Sequence, residues 1–190
     1  MDLTIHKKMW PDYILDMLDD KISNFCSGHL NVQVQMNQWV PNLVKQSAPI
    51  LLYKFPPESE ESLDMKKFLL EKWKINTTVE CSECEAPKEL KNFNFLLQFM
   101  PKDSYIPWHE DMKHFFVLTT YLNKEWEFDW GGAFLYIDGK SDNRFLYPEY
   151  NTAVRYGREL SADKYISHSV TKIAELPPNY YRTVLQTFWS

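Results

Sequence analysis

The chain has 190 residues, a net charge of −5 and 44% hydrophobic residues, with 7 Trp, 11 Tyr and 12 Phe among them. This length and apolar content suit one compact domain and exclude a disordered chain. The acidic balance provides no basic footprint for nucleic acid, and no apolar run reaches the length of a signal peptide or a membrane span. We therefore expect a soluble, cytoplasmic protein that binds neither nucleic acid nor membrane.

The first half of the chain combines predicted helices with predicted strands. Apolar residues at helical spacing predict one helix over 11–25 and a second over 62–74, with Ser62 as the N-cap of the second. Between the helices, residues 31–39 alternate apolar and polar side chains, which predicts a strand with one wet face. Residues 48–55 predict a more buried strand.

After about residue 91 the chain changes to short aromatic and β-branched segments separated by turn signals. Six of these segments are predicted strands: 92–100, 114–122, 132–137, 151–156, 165–173 and 182–189. Many short strands without intervening helices indicate antiparallel sheets in a sandwich or barrel. We predict a mostly β (α+β) fold in which an N-terminal support region, 1–90, packs on a β core, 91–190, as one integrated domain.

Two histidines and one aspartate form a candidate metal site. His109 and Asp111 are two residues apart, so on an extended backbone their side chains point to the same face. His168, on a predicted strand far downstream, is the candidate third ligand of a 2-His-1-carboxylate set. His114 is a rival third ligand, but on an unbroken strand it faces away from Asp111. The pair alone is weak evidence, because an acid beside a histidine is usually only hydrogen bonded to it.

Arg182, at the start of the last predicted strand, is a candidate anion-binding residue. A half-buried arginine is costly unless an anion pairs with it, and its guanidinium group suits a carboxylate. The alternative is an exposed or salt-bridged arginine at a strand start, in which case Lys172 is the next candidate for holding a carboxylate.

These residues belong to an ordered series of motifs: WHED, TTYLNKEWEFDWGGAFLYI, PEYNTAVRY, SHSVTKI and YRTVLQTFW. The series resembles the prolyl-hydroxylase branch of the iron(II)/2-oxoglutarate oxygenases over roughly residues 95–189. The resemblance implies a double-stranded β-helix (jelly-roll) core with iron(II) bound by His109, Asp111 and His168. It implies 2-oxoglutarate and O2 as cosubstrates, with ascorbate as a candidate reductant. Asp111 favours hydroxylation, because a small residue replaces this carboxylate in related halogenases.

The resemblance also assigns residues to the 2-oxoglutarate pocket. Arg182 would hold the distal carboxylate together with Tyr121 of the YLN element. Thr119 shares the face of Tyr121, and Val184 shares that of Arg182, so both are expected to line the pocket. Relatives carry a tyrosine on the strand before the HxD motif, where this chain has LLQFMPKDSY. Gln98 is the candidate that donates a hydrogen bond in its place.

The substrate half of the site is less specific in the sequence. Arg155 occupies a strand position that is apolar in the hypoxia-factor relatives, so it is either a solvated arginine or an anchor for an anionic substrate group. Trp108 and Trp130 are candidates for lining the mouth of the site. Cys81 and Cys84 form a CxxC motif in a polar stretch without a second zinc-ligand pair, so we expect reduced thiols there.

The expected function is hydroxylation of a C–H bond, with a prolyl residue of a peptide or protein as the expected substrate and no catalytic residues beyond the metal site. Hydroxylation of a free amino acid or another small molecule is the alternative enzymatic function. A non-enzymatic cupin-like or lectin-like binding domain is the alternative of a different class, since the fold alone does not choose among the three. The oligomeric state stays open.

Overall fold

The structure, a computed structural model, describes residues 3–35, 47–73, 93–111, 116–137, 142–157 and 166–189. Within these ranges the chain forms two α-helices, α1 (Asp12–Cys26) and α2 (Glu60–Lys72). The β-strands are β1 (Thr4–His6), β2 (Gln33–Gln35), β3 (Ile50–Lys54), β4 (Phe93–Met100), β5 (Ile106–His109), β6 (Phe116–Tyr121), β7 (Phe134–Ile137), β8 (Asn143–Leu146), β9 (Thr152–Gly157), β10 (His168–Val170) and β11 (Arg182–Trp189).

The strands form two antiparallel sheets, which confirms the predicted mostly β fold. The large sheet has the order β1-β9-β6-β11-β4-β3-β2, and the small sheet has the order β5-β10-β7-β8. Strands β1, β2 and β3 belong to the predicted support region, yet they extend the large sheet at both of its edges. The C-terminal strand β11 lies between β6 and β4 near the middle of this sheet.

The two faces of the large sheet carry separate hydrophobic cores, because side chains alternate along each strand. The outer face packs against the helices. The buried residues of this core, from sheet and helices together, include Ile14, Leu18, Leu69, Phe95, Leu97, Phe99, Leu118 and Leu185. The inner face packs against the small sheet. The buried residues of this core, from both sheets, include Val117, Tyr121, Phe134, Val154, Val170 and Val184. Residues that project from the inner face can therefore meet residues of the small sheet.

Helix α2 begins two residues earlier than the sequence predicts. Ser59 is the N-cap, and its hydroxyl accepts a hydrogen bond of 3.3 Å from the backbone N–H of Ser62. The predicted cap, Ser62, lies inside the first turn, where its hydroxyl donates to the carbonyl of Pro56 at 2.7 Å. The earlier start places Glu60 and Glu61 in the first turn, where the helix dipole favours negative charge.

Asn151 ties the N-terminal segment to the large sheet. Its side-chain oxygen accepts from the Trp10 N–H at 2.8 Å, and its amide donates to the Trp10 carbonyl at 2.9 Å. The indole of Trp10 in turn donates to the hydroxyl of Thr120 at 2.9 Å. Asn151 adopts a left-handed backbone conformation (φ 52°), which asparagine tolerates better than most residues.

None of the helices in the described ranges is long and apolar enough to cross a membrane.

Replacing Asn151 with alanine removes both side-chain hydrogen bonds to Trp10. Each buried hydrogen bond contributes about 0.5–1.5 kcal/mol, and the left-handed backbone adds strain for alanine. We expect the free energy of unfolding to fall by about 2–3 kcal/mol, measured by urea denaturation. Asn143→Ala, at an exposed position of β8, is the control and should change it by less than about 0.5 kcal/mol. Equal effects of the two variants would contradict the role of Asn151.

Candidate metal centre and anion pocket

The small sheet brings His109, Asp111 and His168 together. Strand β5 pairs with β10, and His109 is the direct partner of His168 in this pairing. One possible ligand atom from each of the three residues lies within 4.8 Å of the other two. The Nε2 atoms of His109 and His168 are 3.8 Å and 3.5 Å from the Asp111 carboxylate oxygens.

A bulge in β5 aims His109 at the interior. Val170 pairs with Ile106 and His168 pairs with His109, so three steps on β5 match two steps on β10. The extra residue lets Ile106 and His109 both face inward, although unbroken alternation would place them on opposite faces. Ile106 is buried in the core, and His109 turns toward Asp111 beside it.

Both histidines are held in the tautomer that a metal needs. Nδ1 of His109 lies 2.8 Å from the carbonyl of Pro107, and Nδ1 of His168 lies 2.9 Å from the carbonyl of Ile166. A carbonyl only accepts, so each Nδ1 carries the proton and each Nε2 presents its lone pair. Metal-binding histidines are commonly oriented by such bonds.

The surroundings of His168 keep it neutral. Burial, followed by the charge of His109, lowers the pKa of His168 from 6.5 to about 4. Since the unfolded chain binds a proton at this residue near pH 6.5 and the folded chain only near pH 4, stability falls as the pH drops through that window. At neutral pH the imidazole is uncharged, which is the form that binds a metal ion.

Tyr156 closes one side of the metal centre, and the sequence interpretation did not identify it. Its ring lies 4.6 Å from that of His168, and its phenol oxygen lies 3.3 Å from the Thr119 hydroxyl. Burial, followed by the charge of Asp111, raises the pKa of Tyr156 well above its ordinary value. The phenol therefore stays protonated beside the cluster. Strand alternation places Tyr156 and Thr119 on the same inner face, which is the signal that could have found it.

Arg182 is buried, and no described residue gives it an anionic partner. The residue is 1% exposed, and no described residue provides a hydrogen-bond partner for its Nε or Nη2 atoms. Nη1 is 3.1 Å from the sulfur of Met100, which is a weak acceptor. The guanidinium carbon lies 5.3 Å from the ring centre of Tyr121. Burial lowers the pKa of Arg182, but arginine remains charged at neutral pH because its pKa lies so far above neutrality.

Tyr121 adds a hydrogen-bond donor to the same pocket. Its side chain is fully buried, and its phenol oxygen has no hydrogen-bond partner among the described residues. Burial raises the pKa of Tyr121 to about 12, so the phenol stays protonated and can donate. Arg182 and Tyr121 together present donors that the described residues leave unsatisfied, next to a positive charge. Their arrangement fits a carboxylate group.

The neighbours of Arg182 explain its position. The side-chain amide of Asn123 donates to the carbonyl of Tyr181 at 2.7 Å, and its oxygen accepts from the N–H of Thr183 at 2.7 Å. Asn123 therefore fixes the backbone on both sides of Arg182. Gly132 has a φ of 69°, and a Cβ atom added there would lie 2.8 Å from Cδ of Arg182. The Gly-Gly turn thus makes room for the arginine side chain.

The remaining predicted cofactor residues lie on the same inner face. Val184 is the strand partner of Tyr121 on one side and of Gln98 on the other. Thr119 is two residues before Tyr121 and is buried. The amide of Gln98 is bonded to Gln186 at 3.1 Å rather than to the arginine. Met100, the strand partner of Arg182, is the residue of β4 that contacts the guanidinium group.

The structure separates Arg155 from this group. Arg155 is the strand partner of Leu118, a member of the outer core, so it projects from the opposite face of the large sheet. Its guanidinium carbon lies 5.4 Å from the ring centre of Trp73. The alternation of strand β9 thus places Arg155 on the opposite face of the large sheet from Thr119 and Tyr156.

The predicted tryptophans and Lys172 also lie apart from the cluster. Trp108 is 46% exposed and lines a surface groove with Lys172. Lys172 forms an ion pair of 2.7 Å with Asp103, so it does not replace Arg182. The ring of Trp130 lies 5.3 Å from that of Trp126, which covers Gly132 at the arginine end of the pocket. His114, Cys81 and Cys84 lie outside the described residues.

The residues present fit a metal ion and an anion. Two imidazoles and a carboxylate form a donor set typical of non-haem iron(II) sites. A carboxylate ligand would satisfy the buried donors of Arg182 and Tyr121, which the described side chains leave without partners.

Solved structures with a similar fold include a prolyl-4-hydroxylase from Pseudomonas putida, with a TM-score of 0.68 and 15% identity over 98% of this chain and 91% of that chain. A prolyl hydroxylase from Trichoplax adhaerens, in complex with a hypoxia inducible factor oxygen degradation domain peptide fragment, has a TM-score of 0.68 and 9% identity, covering 98% and 82%. The chain has the fold of the iron(II)/2-oxoglutarate oxygenases.

A 2OG-Fe(II) oxygenase family oxidoreductase from Burkholderia pseudomallei shares this fold, with a TM-score of 0.58 and 13% identity over 99% of this chain and 85% of that chain. No protein-family model and no curated protein sequence matches the chain. The resemblance seen in the motifs is therefore confirmed for the oxygenase fold.

Replacing Arg182 with methionine should stabilise the protein in buffer without metal or 2-oxoglutarate. The change removes a buried charge that no described carboxylate neutralises, and keeps an unbranched side chain. Such replacements are neutral or stabilise by about 1–4 kcal/mol, and we expect an increase of about 1–3 kcal/mol in the free energy of unfolding. Urea denaturation measures it, with Arg144→Met at an exposed position as control. A less stable Arg182→Met protein would show that groups of the protein itself stabilise the charge.

Proposed function

We propose that this chain is an iron(II)- and 2-oxoglutarate-dependent dioxygenase that hydroxylates a C–H bond. The observation that carries the proposal is the fully buried Arg182, whose guanidinium group has no carboxylate partner among the described residues. It lies on the wall that also carries Thr119 and Tyr156, next to the His-Asp-His cluster. A binding domain without this cosubstrate has no physical reason to bury a charge there.

The roles of the residues follow from their donors and acceptors. His109 and His168 would bind iron(II) through Nε2, and Asp111 through its carboxylate. Arg182 and Tyr121 would hold the distal carboxylate of 2-oxoglutarate, the first with its charge and the second with its phenol proton. When bound, iron(II), O2 and 2-oxoglutarate supply the chemistry that converts the cosubstrate to succinate and CO2 and transfers an oxygen atom to the substrate C–H bond.

The rest of the inner face shapes the pocket. Val184 lies between Gln98 and Tyr121 in the sheet, and Thr119 lies between the arginine end and Tyr156. Val117 and Val154 are fully buried there and exclude water from the space beside the cluster. A dry pocket strengthens the pairing between Arg182 and a carboxylate and protects reactive species from side reactions.

We further propose that the substrate is a prolyl residue in a peptide, with ascorbate as the reductant. Two similar structures are named prolyl hydroxylases, and one of them is in complex with a peptide fragment. Asp111 supports hydroxylation because its carboxylate occupies the position that halogenases keep for a halide ion.

Anaerobic titration of the purified protein with iron(II) and 2-oxoglutarate should produce the weak visible metal-to-ligand charge-transfer band of the ternary complex. The double variant His109→Ala/His168→Ala removes two of the three ligands and should lose the band. His29→Ala, at an exposed histidine, is the matched control and should keep it. Absence of the band in the unaltered protein, or its survival in the double variant, would refute the proposed site.

Arg182→Ala should raise the KM for 2-oxoglutarate by about 100-fold or more, since loss of one half of a buried ion pair costs about 3–5 kcal/mol. The measurement is succinate formation at varied 2-oxoglutarate. Lys172→Ala is the matched cationic control, because Lys172 is exposed and paired with Asp103. Its KM should stay within about twofold, as for a surface ion pair. Similar KM values for Arg182→Ala and the unaltered protein would place the carboxylate elsewhere.

A further inference from the structure

Two glutamines on the inner face of the large sheet form a polar pair that the proposed chemistry does not use. The amide nitrogen of Gln98 donates to the side-chain oxygen of Gln186 at 3.1 Å. Gln98 is only 2% exposed, and its own side-chain oxygen has no partner among the described residues. An unsatisfied buried polar atom is destabilising, so the pair is suited to a ligand that completes its hydrogen bonds.

Gln186 lies on β11, and Gln98 lies on β4, the neighbour of β11 on the side away from Tyr121. Gln186 is the direct strand partner of Thr119 on β6. The hydroxyl of Thr119 is 3.3 Å from the phenol of Tyr156, whose ring is 4.6 Å from that of His168. Direct partners in an antiparallel pair have Cβ atoms about 4.5–5.5 Å apart. Gln186 is therefore separated from the metal-ligand residue His168 by two side chains.

The solvent exposure of the inner-face side chains changes across the large sheet, which forms this wall of the pocket. The inner-face residues of β6 and β9 that lie nearest to the metal centre are buried: Val117, Thr119, Val154 and Tyr156. The inner-face residues at the same level of β4 and β11 are half-buried: Asn94, Leu96, Gln186 and Phe188. The wall thus opens toward solvent on the β4–β11 side, and Gln186 lies in the opening.

The chemistry of this opening suits an amide more than a cationic molecule, because the charged side chain beside it is the exposed Lys54, the strand partner of Leu96 on β3. The inner faces of β4 and β11 present Asn94 and Gln186 amides beside the apolar Leu96 and Phe188, and none of these carries a charge. Along the described parts of β3, β4 and β11, the same face contains no acidic side chain that would pair with the ammonium group of a free amino acid. A primary amide offers both a donor and an acceptor, which is what a peptide group requires.

We propose that Gln186, supported by Gln98, is a substrate-binding residue that hydrogen bonds a backbone amide of a peptide substrate at the mouth of the site. The inference rests on the proposed oxygenase function and adds to it the residue that recognises the peptide. Gln98 fixes the orientation of the Gln186 amide from behind, while Leu96 and Phe188 provide apolar contact for a neighbouring ring or side chain.

The test measures succinate formation at saturating 2-oxoglutarate, with N-acetylated and C-amidated tripeptides that contain a central proline, and with free L-proline, as probes. We expect at least one blocked tripeptide, and not L-proline, to stimulate turnover in the unaltered protein. Gln186→Leu, which keeps the size of the side chain, should raise the KM for that tripeptide by about tenfold, consistent with the loss of a hydrogen bond. The KM for 2-oxoglutarate should change much less.

Gln186→Glu is the second variant and should raise the KM for the tripeptide in the same way, because it replaces the amide donor with a charged acceptor. Asn143→Leu, at an exposed position of β8, is the control that should leave both KM values unchanged. Stimulation by L-proline alone, stimulation by no tripeptide, or a tripeptide KM within twofold in both Gln186 variants would overturn the inference. Absence of the charge-transfer band together with absence of succinate from the unaltered protein would instead refute the proposed function.

Discussion

The burial of the Arg182 charge is the constraint on which the candidate site depends. A charge inside a protein needs either a partner or a network of hydrogen bonds, because its desolvation costs several kcal/mol. Among the described residues, its neighbours supply the sulfur of Met100 and the ring of Tyr121, while Asn123 fixes the backbone around it and Gly132 leaves room for its side chain. The fold keeps an arginine in a position that becomes favourable when an external carboxylate arrives.

In the candidate metal centre too, the atoms that fix each side chain differ from the atoms that would bind the ligand. The Nδ1 atoms of His109 and His168 are each bonded to the backbone carbonyl two residues earlier, that of Pro107 in β5 and that of Ile166 just before β10, so the backbone orients both rings. The hydrophobic cores lie on either side of the large sheet, and the site occupies the inner face between the sheets. A site built on strands in this way keeps its geometry better than one built on loops.

Similarity of fold and similarity of sequence carry different information about this chain. A TM-score of 0.68 over nearly the whole chain identifies the oxygenase fold, while 15% identity leaves the substrate to be argued from individual residues. In this chain those residues include Met100 next to the arginine and the Gln98–Gln186 pair on the opening wall. Fold is shared among many chemistries, and the difference lies in such side chains.

Much of the fold could be predicted from the sequence alone. Alternation and turn signals predicted both helices and six strands of the second half, because period-2 and period-3.6 patterns directly reflect which side chains are buried. They did not predict the short strands β5 and β8 of the small sheet. The spacing of His109 and Asp111, with His168 and Arg182 downstream, predicted the main members of the candidate site. The predicted N-cap of α2 was wrong: the cap is Ser59 and not Ser62, because two serines in the same stretch compete for that role.

The sequence by itself determined the residue types of the candidate site and the two-sheet architecture, since both depend on local patterns along the chain. Only the tertiary structure decided which faces meet. The register of β9 turned Arg155 away and Tyr156 toward His168, and the bulge in β5 turned His109 inward. Pairings between distant strands also set Gln186 beside Thr119 and left Arg182 without a carboxylate partner among the described residues. Such relations depend on strand register, and a shift of one residue reverses every side chain.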